Sequence, residues 1–178
     1  TGAKLISRKY KLKFLSSGLL YRYASYLILN FKPKKQSLFL KKKFKKLKYS
    51  RLKKINLHSP LISEHSAILA KKSEIRKILK KFQVDFSKKN KNCCIEGRDI
   101  STKILPNSDL KFFFKCNLDI AALRRYKELK KKNPNIKKKD VKKALKIRNL
   151  LDTKRKNSPL LRHPESIEID SGKLTKQA

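Results

Sequence analysis

Methionine and tryptophan are absent from these 178 residues, glycine occurs 4 times and cysteine 3 times, and acids are scarce, with 13 Asp and Glu against 50 Lys and Arg. Each shortage excludes something. Cys93, Cys94 and Cys116 are odd in number and sit in apolar runs, which suggests neither a disulfide framework nor a metal site and fits a reducing, cytoplasmic setting. A membrane span needs about 18 consecutive apolar residues, and the longest candidate, Leu19 to Phe31, is interrupted by Arg22 and Asn30. The first residues do not read as a signal peptide. Opening on Thr1-Gly2-Ala3 with no initiator methionine, the chain reads as a fragment.

The shortage of acids leaves a formal charge of +37. Such a balance is the footprint of a nucleic-acid binder. It is equally what drift toward lysine produces on an enzyme surface, because many of the cations stand in short solvated runs such as Lys41-Lys42-Lys43. Exposed charges farther apart than a Debye length of roughly 8 Å are largely screened, so a folded enzyme tolerates them. Composition alone leaves both readings open.

What is present is organised around Cys93 to Pro106, CCIEGRDISTKILP. Cys93, Cys94 and Ile95 are uncharged between a lysine-rich segment and Glu96-Gly97-Arg98-Asp99, the pattern of a strand covered on both faces that delivers a loop. Gly97 lets the chain turn. In open α/β sheets ligands bind just past the carboxyl ends of parallel strands. Arg98, a forked donor, and Asp99, an acceptor, would stand there. The same tripeptide also suits an ordinary charged surface turn.

The rest of the chain decides how that loop is read. FLSSGLLYR (Phe14 to Arg22), IRKIL (Ile75 to Leu79), EGRDISTKILPNSDLKFFF, RRY (Arg124 to Tyr126), RNLLDTKR (Arg148 to Arg155) and the terminal NSPLLRHPESIEIDSG follow one another in an order that resembles the cytidylate kinase family, from Thr1 to Gly172. The resemblance implies a three-layer α/β fold of the phosphate-loop nucleoside monophosphate kinase type. Such a fold has a parallel sheet, an acceptor-binding lobe and a helical lid. The implied segments are core at 1–33, acceptor lobe and helices at 34–92, core strands and central loop at 93–118, helical lid at 119–158, and a last strand with the start of a final helix at 159–178. Thr1 aligns with the last threonine of the family's phosphate loop, GxxxxGKxT. On that alignment the chain is truncated at the end of the loop and short at its C-terminus, the sheet lacks its first, central strand, and the strands at Cys93 and Lys111 flank a gap unless they collapse together. The 178 residues alone then show no CMP-dependent turnover.

Local patterns place the elements. Gly2 to Tyr10 reads as a helix with Ala3, Leu5, Ile6 and Tyr10 on its apolar face, Lys11 to Ser16 as a strand, and Ser17-Gly18 as the cap of a helix from Leu19 to about Asn30. Phe31 to Asn56 mixes Pro33, a basic run and scattered aromatics. It reads as a trimmed lobe rebuilt in helix or as a single-strand nucleic-acid surface. Leu57 to Phe86 reads as two helices broken near Ser73, with Ile62, Ile68, Leu69, Ile75, Ile78, Leu79 and Phe82 inward. Leu110 to Lys115 is a strand whose three phenylalanines belong to a core, a helix follows to about Lys132, Asn133-Pro134-Asn135 breaks it, and a second runs from about Lys138 to Thr153. Arg148, Asp152 and Arg155, at i, i+4 and i+7, share one helical face. Ser166 to Asp170 is the last strand.

The resemblance also implies roles. Ser17 and Arg22 grip the acceptor nucleotide, although Ser16 stands where the family usually has an aspartate. Arg76 and Asp99 read the cytosine, with Ser66 beside them, while His58 and His65 serve the lobe's structure. Arg98 and Arg155 are the catalytic cations on the acceptor phosphate, and Arg148 and Asp152 touch the pentose. Thr1, Arg124 and Arg125 attend ATP, with Ala121 where the family often adds another arginine. The implied substrates are ATP with Mg²⁺ and CMP or dCMP. The implied protein is a monomer off the membrane that binds nucleic acid only non-specifically, through its charge. A strongly basic RNA-binding protein and a kinase for another acceptor, such as UMP or a shikimate-like acid, are the rival readings.

Overall fold

Lysines this dense leave the helices of the first unit only a narrow apolar stripe to turn inward. The computed structural model describes residues 2–131 and 133–174, and divides into two compact units, Thr1–Pro106 and Asn107–Ala178.

In the first unit the order is α1 (Gly2–Lys9), β1 (Lys13–Ser16), α2 (Ser17–Phe31), α3 (Gln36–Lys45), a 3-10 turn (Tyr49–Lys54), α4 (Pro60–Leu69), α5 (Ser73–Lys89), β2 (Cys93–Glu96) and a π turn (Ile100–Ile104). β1 and β2 pair in parallel, Lys13 opposite Cys93 through Ser16 opposite Glu96. Parallel neighbours need a long crossover, and here the connection is α2 to α5. The core is built on Leu15 of β1 and Leu20, Ala24, Leu27 and Ile28 of α2, at the i, i+4, i+7, i+8 spacing of a buried helical face. Leu40 and Phe44 of α3, Leu57, Leu69 of α4, and Ile75 and Leu79 of α5 close over them.

Local chemistry sets the ends. Lys11 has φ 51°, a left-handed conformation no strand adopts, so β1 begins two residues later than the pattern predicts. α2 begins at Ser17 rather than Leu19, with Ser16 at its N-cap making no side-chain capping bond. It stops at Lys32, left-handed at φ 42°, whose N–H returns to the Ile28 carbonyl 2.9 Å away. α4 is capped by Ser59, whose Oγ accepts from the Ile62 amide at 3.2 Å, with Pro60 in its first turn. The basic segment from Phe31 to Asn56 is largely helical, as α3 and the 3-10 turn.

Three burial expectations are corrected in this unit. On α1 it is Ser7 that is buried, its Oγ bonded to the Lys4 carbonyl, while Leu5 and Tyr10 are exposed, because the inward stripe runs Ala3, Ile6, Ser7. On α4, Ile62 and Leu69 lie one stripe apart at i, i+7 and are buried, whereas Ile68 falls off that stripe and is half exposed. β2 is half-buried along its whole length rather than covered on both faces, because its one ladder partner among the described residues is β1.

The second unit contains β3 (Phe112–Lys115), α6 (Leu118–Lys130), α7 (Lys138–Lys154) and β4 (Ile167–Asp170). β3 and β4 pair in parallel, Phe112 opposite Ile167 and Phe114 opposite Ile169. α6 packs on α7, and Asn117 caps α6 by accepting from the Asp119 amide at 2.8 Å. Two of the three phenylalanines of β3 are not the core they were expected to be, while Phe113 is half-buried. Phe112 and Phe114 share one strand face by the two-residue period and are 38% and 40% exposed, next to Ile167 at 52%, since a two-stranded ribbon covers little of either face. Ser171 to Lys173 form a turn after β4. The rest of the expected final helix, residues 175–178, lies outside the described residues, as does Thr1. Among the described residues no helix is long and apolar enough to cross a membrane.

Candidate active site

Pairing fixes where the central loop emerges. With Ser16 opposite Glu96 at the ends of β1 and β2, Ser17 and Gly97-Arg98-Asp99 leave the sheet side by side. Their approach is close enough to favour glycine. A Cβ on Gly97 would lie 2.7 Å from Cγ1 and Cδ1 of Ile100 and 3.0 Å from Cβ of Ser17. Gly97 has no positive φ, so the requirement is one of space rather than of backbone conformation. Ser17 itself is 4% exposed.

Arg76 reaches this loop from the first turn of α5. Its Nη2 pairs directly with Oδ2 of Asp99, its Nη1 donates to the Ala70 carbonyl at 3.2 Å, and its guanidinium lies 5.9 Å from the ring centroid of Tyr21. The two side chains are 10% and 5% exposed. Asp99 also anchors the π turn, its backbone carbonyl accepting from the amides of Lys103 and Ile104 at 2.9 and 3.2 Å. The couple sets forked donors beside carboxylate acceptors, the arrangement that recognises a planar polar edge.

The remaining candidates of this unit are placed less tellingly. Arg22 and Arg98 are half-buried, at the second turn of α2 and at the start of the loop. The Ser66 hydroxyl donates to the Ser63 carbonyl at 2.7 Å, within α4. His58 donates its amide to Oδ1 of Asn56 at 3.3 Å. His65 has its pKa lowered, first by burial and then by Lys72. Burial raises the thiols of Cys93 and Cys94, and the Cys94 thiol donates to the Ala3 carbonyl at 3.4 Å, so neither is poised as a nucleophile.

In the second unit Asp152 sits between two arginines. Arg148 Nε is 3.8 Å from its Oδ2 and Arg155 Nη1 is 3.5 Å from its Oδ1. Arg155 is not on the helix as the i, i+7 spacing predicts. It is the extended residue after α7, held by donating from Nε to the Ser158 carbonyl. Arg124 donates to the carbonyls of Ser171 at 2.7 Å and Leu174 at 3.1 Å, gripping the turn after β4, and Arg125 pairs with Glu128 at 2.7 Å.

Two participants were missed from sequence. Tyr21, beside Arg22 in a motif already singled out, gives the Arg76 guanidinium its aromatic floor. Tyr49, whose hydroxyl accepts from the Ser16 amide at 2.7 Å, carries no local signal, since the contact spans 33 residues.

A family model described as cytidylate kinase matches residues 1–178. A cytidylate kinase of Caldanaerobacter subterraneus subsp. tengcongensis is 38% identical over 121 residues, 68% of this chain and 54% of that one. That of Clostridium tetani is 31% identical over 182 residues, 96% of this chain and 80% of that one, and that of Fervidobacterium nodosum 29% over 185 residues, 98% and 84%. The stretch matched in the first of these is about half of that relative's length. Nothing in these likenesses supports the nucleic-acid-binding alternative. The α/β build with parallel strand pairs agrees with the phosphate-loop nucleoside monophosphate kinase fold that the match implies. With the whole of its length matched, the chain belongs to the cytidylate kinase family.

Proposed function

We propose that this chain serves transfer of the γ-phosphoryl group of ATP to CMP or dCMP, giving CDP or dCDP, and that it supplies the acceptor-reading groups. The observation that carries the reading is the dry Arg76–Asp99 couple beside the Ser17–Gly97 junction. Asp99 accepts from the exocyclic amine of cytosine, where uracil presents a second acceptor. Arg76 donates two parallel hydrogen bonds to the base edge, which a lysine could not reproduce. Ser66 assists at the base. Ser17, Arg22 and Arg98 hold the acceptor phosphate.

In the second unit the proposal assigns the pentose to Arg148 and Asp152, the acceptor phosphate to Arg155, and the donor phosphates to Arg124 and Arg125. Thr1 joins them from outside the described residues. Phosphoryl transfer spreads negative charge over oxygens in line, so the chemistry asks for cations and positioning more than for a base. Arg98 and Arg155 are the two placed on the charge that develops. Mg²⁺, carried with the nucleotide phosphates, would supply charge neutralisation there. The reducing cytoplasm suits three free cysteines.

Calorimetric titration of the chain with CMP, dCMP and UMP tests the reading. CMP and dCMP should bind, and UMP at least about tenfold more weakly, because it leaves the carboxylate of Asp99 facing an acceptor. Equal affinity for UMP, or no binding of CMP, would overturn it.

A further inference from the structure

The junction that presents Ser17 is held by a residue from the basic lobe. Ser16 occupies the N-cap of α2 but makes no side-chain capping bond. Its amide is instead satisfied at long range, donating to Tyr49 Oη at 2.7 Å. Tyr49 opens the 3-10 turn and its ring rests edge-on against Phe86 of α5, centroids 6.1 Å apart. Gly97 of the central loop packs tightly against the same junction, its Cβ position 3.0 Å from Cβ of Ser17. The β1–α2 turn thus meets both the central loop and one phenol. Burial, and then the carboxylate of Glu96, raise the Tyr49 pKa despite the opposing amide bond, so the oxygen that accepts from Ser16 stays a neutral phenol well above pH 7.

We propose that Tyr49 is a positioning residue for the acceptor phosphate: by fixing the Ser16 amide it sets the angle at which Ser17 and the first turn of α2 meet that phosphate. The proposal rests on the assignment of Ser17 to the phosphate made above. It gives the lysine-rich segment between α2 and α4 a part in binding through one oxygen atom.

Tyr49→Phe removes that oxygen and keeps the ring on Phe86. Calorimetry with CMP and with cytidine, which lacks the phosphate, on the wild type and on Y49F separates positioning from general stability. Affinity for CMP should fall about fivefold, the worth of one neutral hydrogen bond, while affinity for cytidine stays within about twofold of wild type. Unchanged CMP affinity in Y49F, or equal losses for both ligands, would overturn the proposal while leaving the acceptor assignment intact. Failure of the wild type to bind CMP would instead remove the assignment on which it rests. Should Y49F not fold, Phe86→Leu, which loosens the ring's seat but keeps the hydroxyl, carries the same two-ligand comparison. A loss confined to CMP supports the proposal, and an equal loss or none refutes it.

Discussion

Two arginine–aspartate arrangements in this molecule use the same chemistry in opposite ways. Arg76 and Asp99 are brought together from α5 and the loop after β2, are almost fully withdrawn from water, and are braced by a backbone carbonyl and an aromatic face. Arg148 and Asp152 are neighbours on one helix, 3.8 Å apart, the arginine 46% exposed and the aspartate 15%. The first pair binds distant parts of the chain to each other. The second adds little to a helix that would form without it. Under the proposed function the dry pair reads a base edge, a task that gains from groups fixed in advance, whereas Arg148 and Asp152, assigned there to the pentose, are held more loosely.

The sharpest way to break this contrast is to remove one charge from the dry pair. Arg76→Ala should cost about 3–5 kcal/mol of stability, because Asp99 is left buried without its guanidinium. Urea unfolding followed by circular dichroism would measure it. Replacing both members, as R76M/D99L, should return most of that stability while abolishing CMP binding, since apolar groups of similar bulk remove the desolvation cost along with the chemistry. If the single variant lost less than about 1 kcal/mol, the pair would be no better buried than a surface bridge.

Gly97→Ala asks a smaller question of the same region. The added Cβ meets Ile100 at 2.7 Å, where a flexible side chain can yield, and Ser17 at 3.0 Å, where only the junction itself can move. Overpacking of this kind costs about 1–3 kcal/mol. Some of that strain should appear as weaker CMP binding, because relief comes from moving Ser17 away from Arg98 and Asp99. A variant with full stability and full CMP affinity would show the contact to be loose.

The two regions were not equally legible in the sequence. Cys93 to Glu96 and the turn at Gly97 could be read because a strand and its breaker are local patterns, whereas Arg76 and Asp99 were named through the resemblance. Their mutual pairing could not be read, because it joins residues 23 apart whose meeting depends on the α5 crossover. Tyr49 was invisible for the same reason. In the second unit the i, i+4 spacing of Arg148 and Asp152 was enough to place them together, and spacing misled only at Arg155, where α7 has already ended. Two phenylalanines of β3 were misjudged because hydrophobicity marks a strand face without saying what covers it. Phe112 and Phe114 lie on a ribbon of two strands.

Arg148→Ala is the mildest test and the one that bears directly on the contrast. A long i, i+4 pair with a half-exposed arginine contributes at most about 1 kcal/mol, so the unfolding midpoint should scarcely move. Asp152 keeps Arg155 at 3.5 Å, and the Arg155 side chain, 8% exposed, remains seated on the Ser158 carbonyl, so the acid is not stranded. What should change is discrimination between sugars. If Arg148 and Asp152 meet the pentose, the ratio of CMP to dCMP affinity measured by calorimetry shifts in the variant while the preference for cytosine over uracil stays where it was. A stability loss approaching that of Arg76→Ala would mean that the wet pair carries structure after all, and the division of labour between the two pairs would fall.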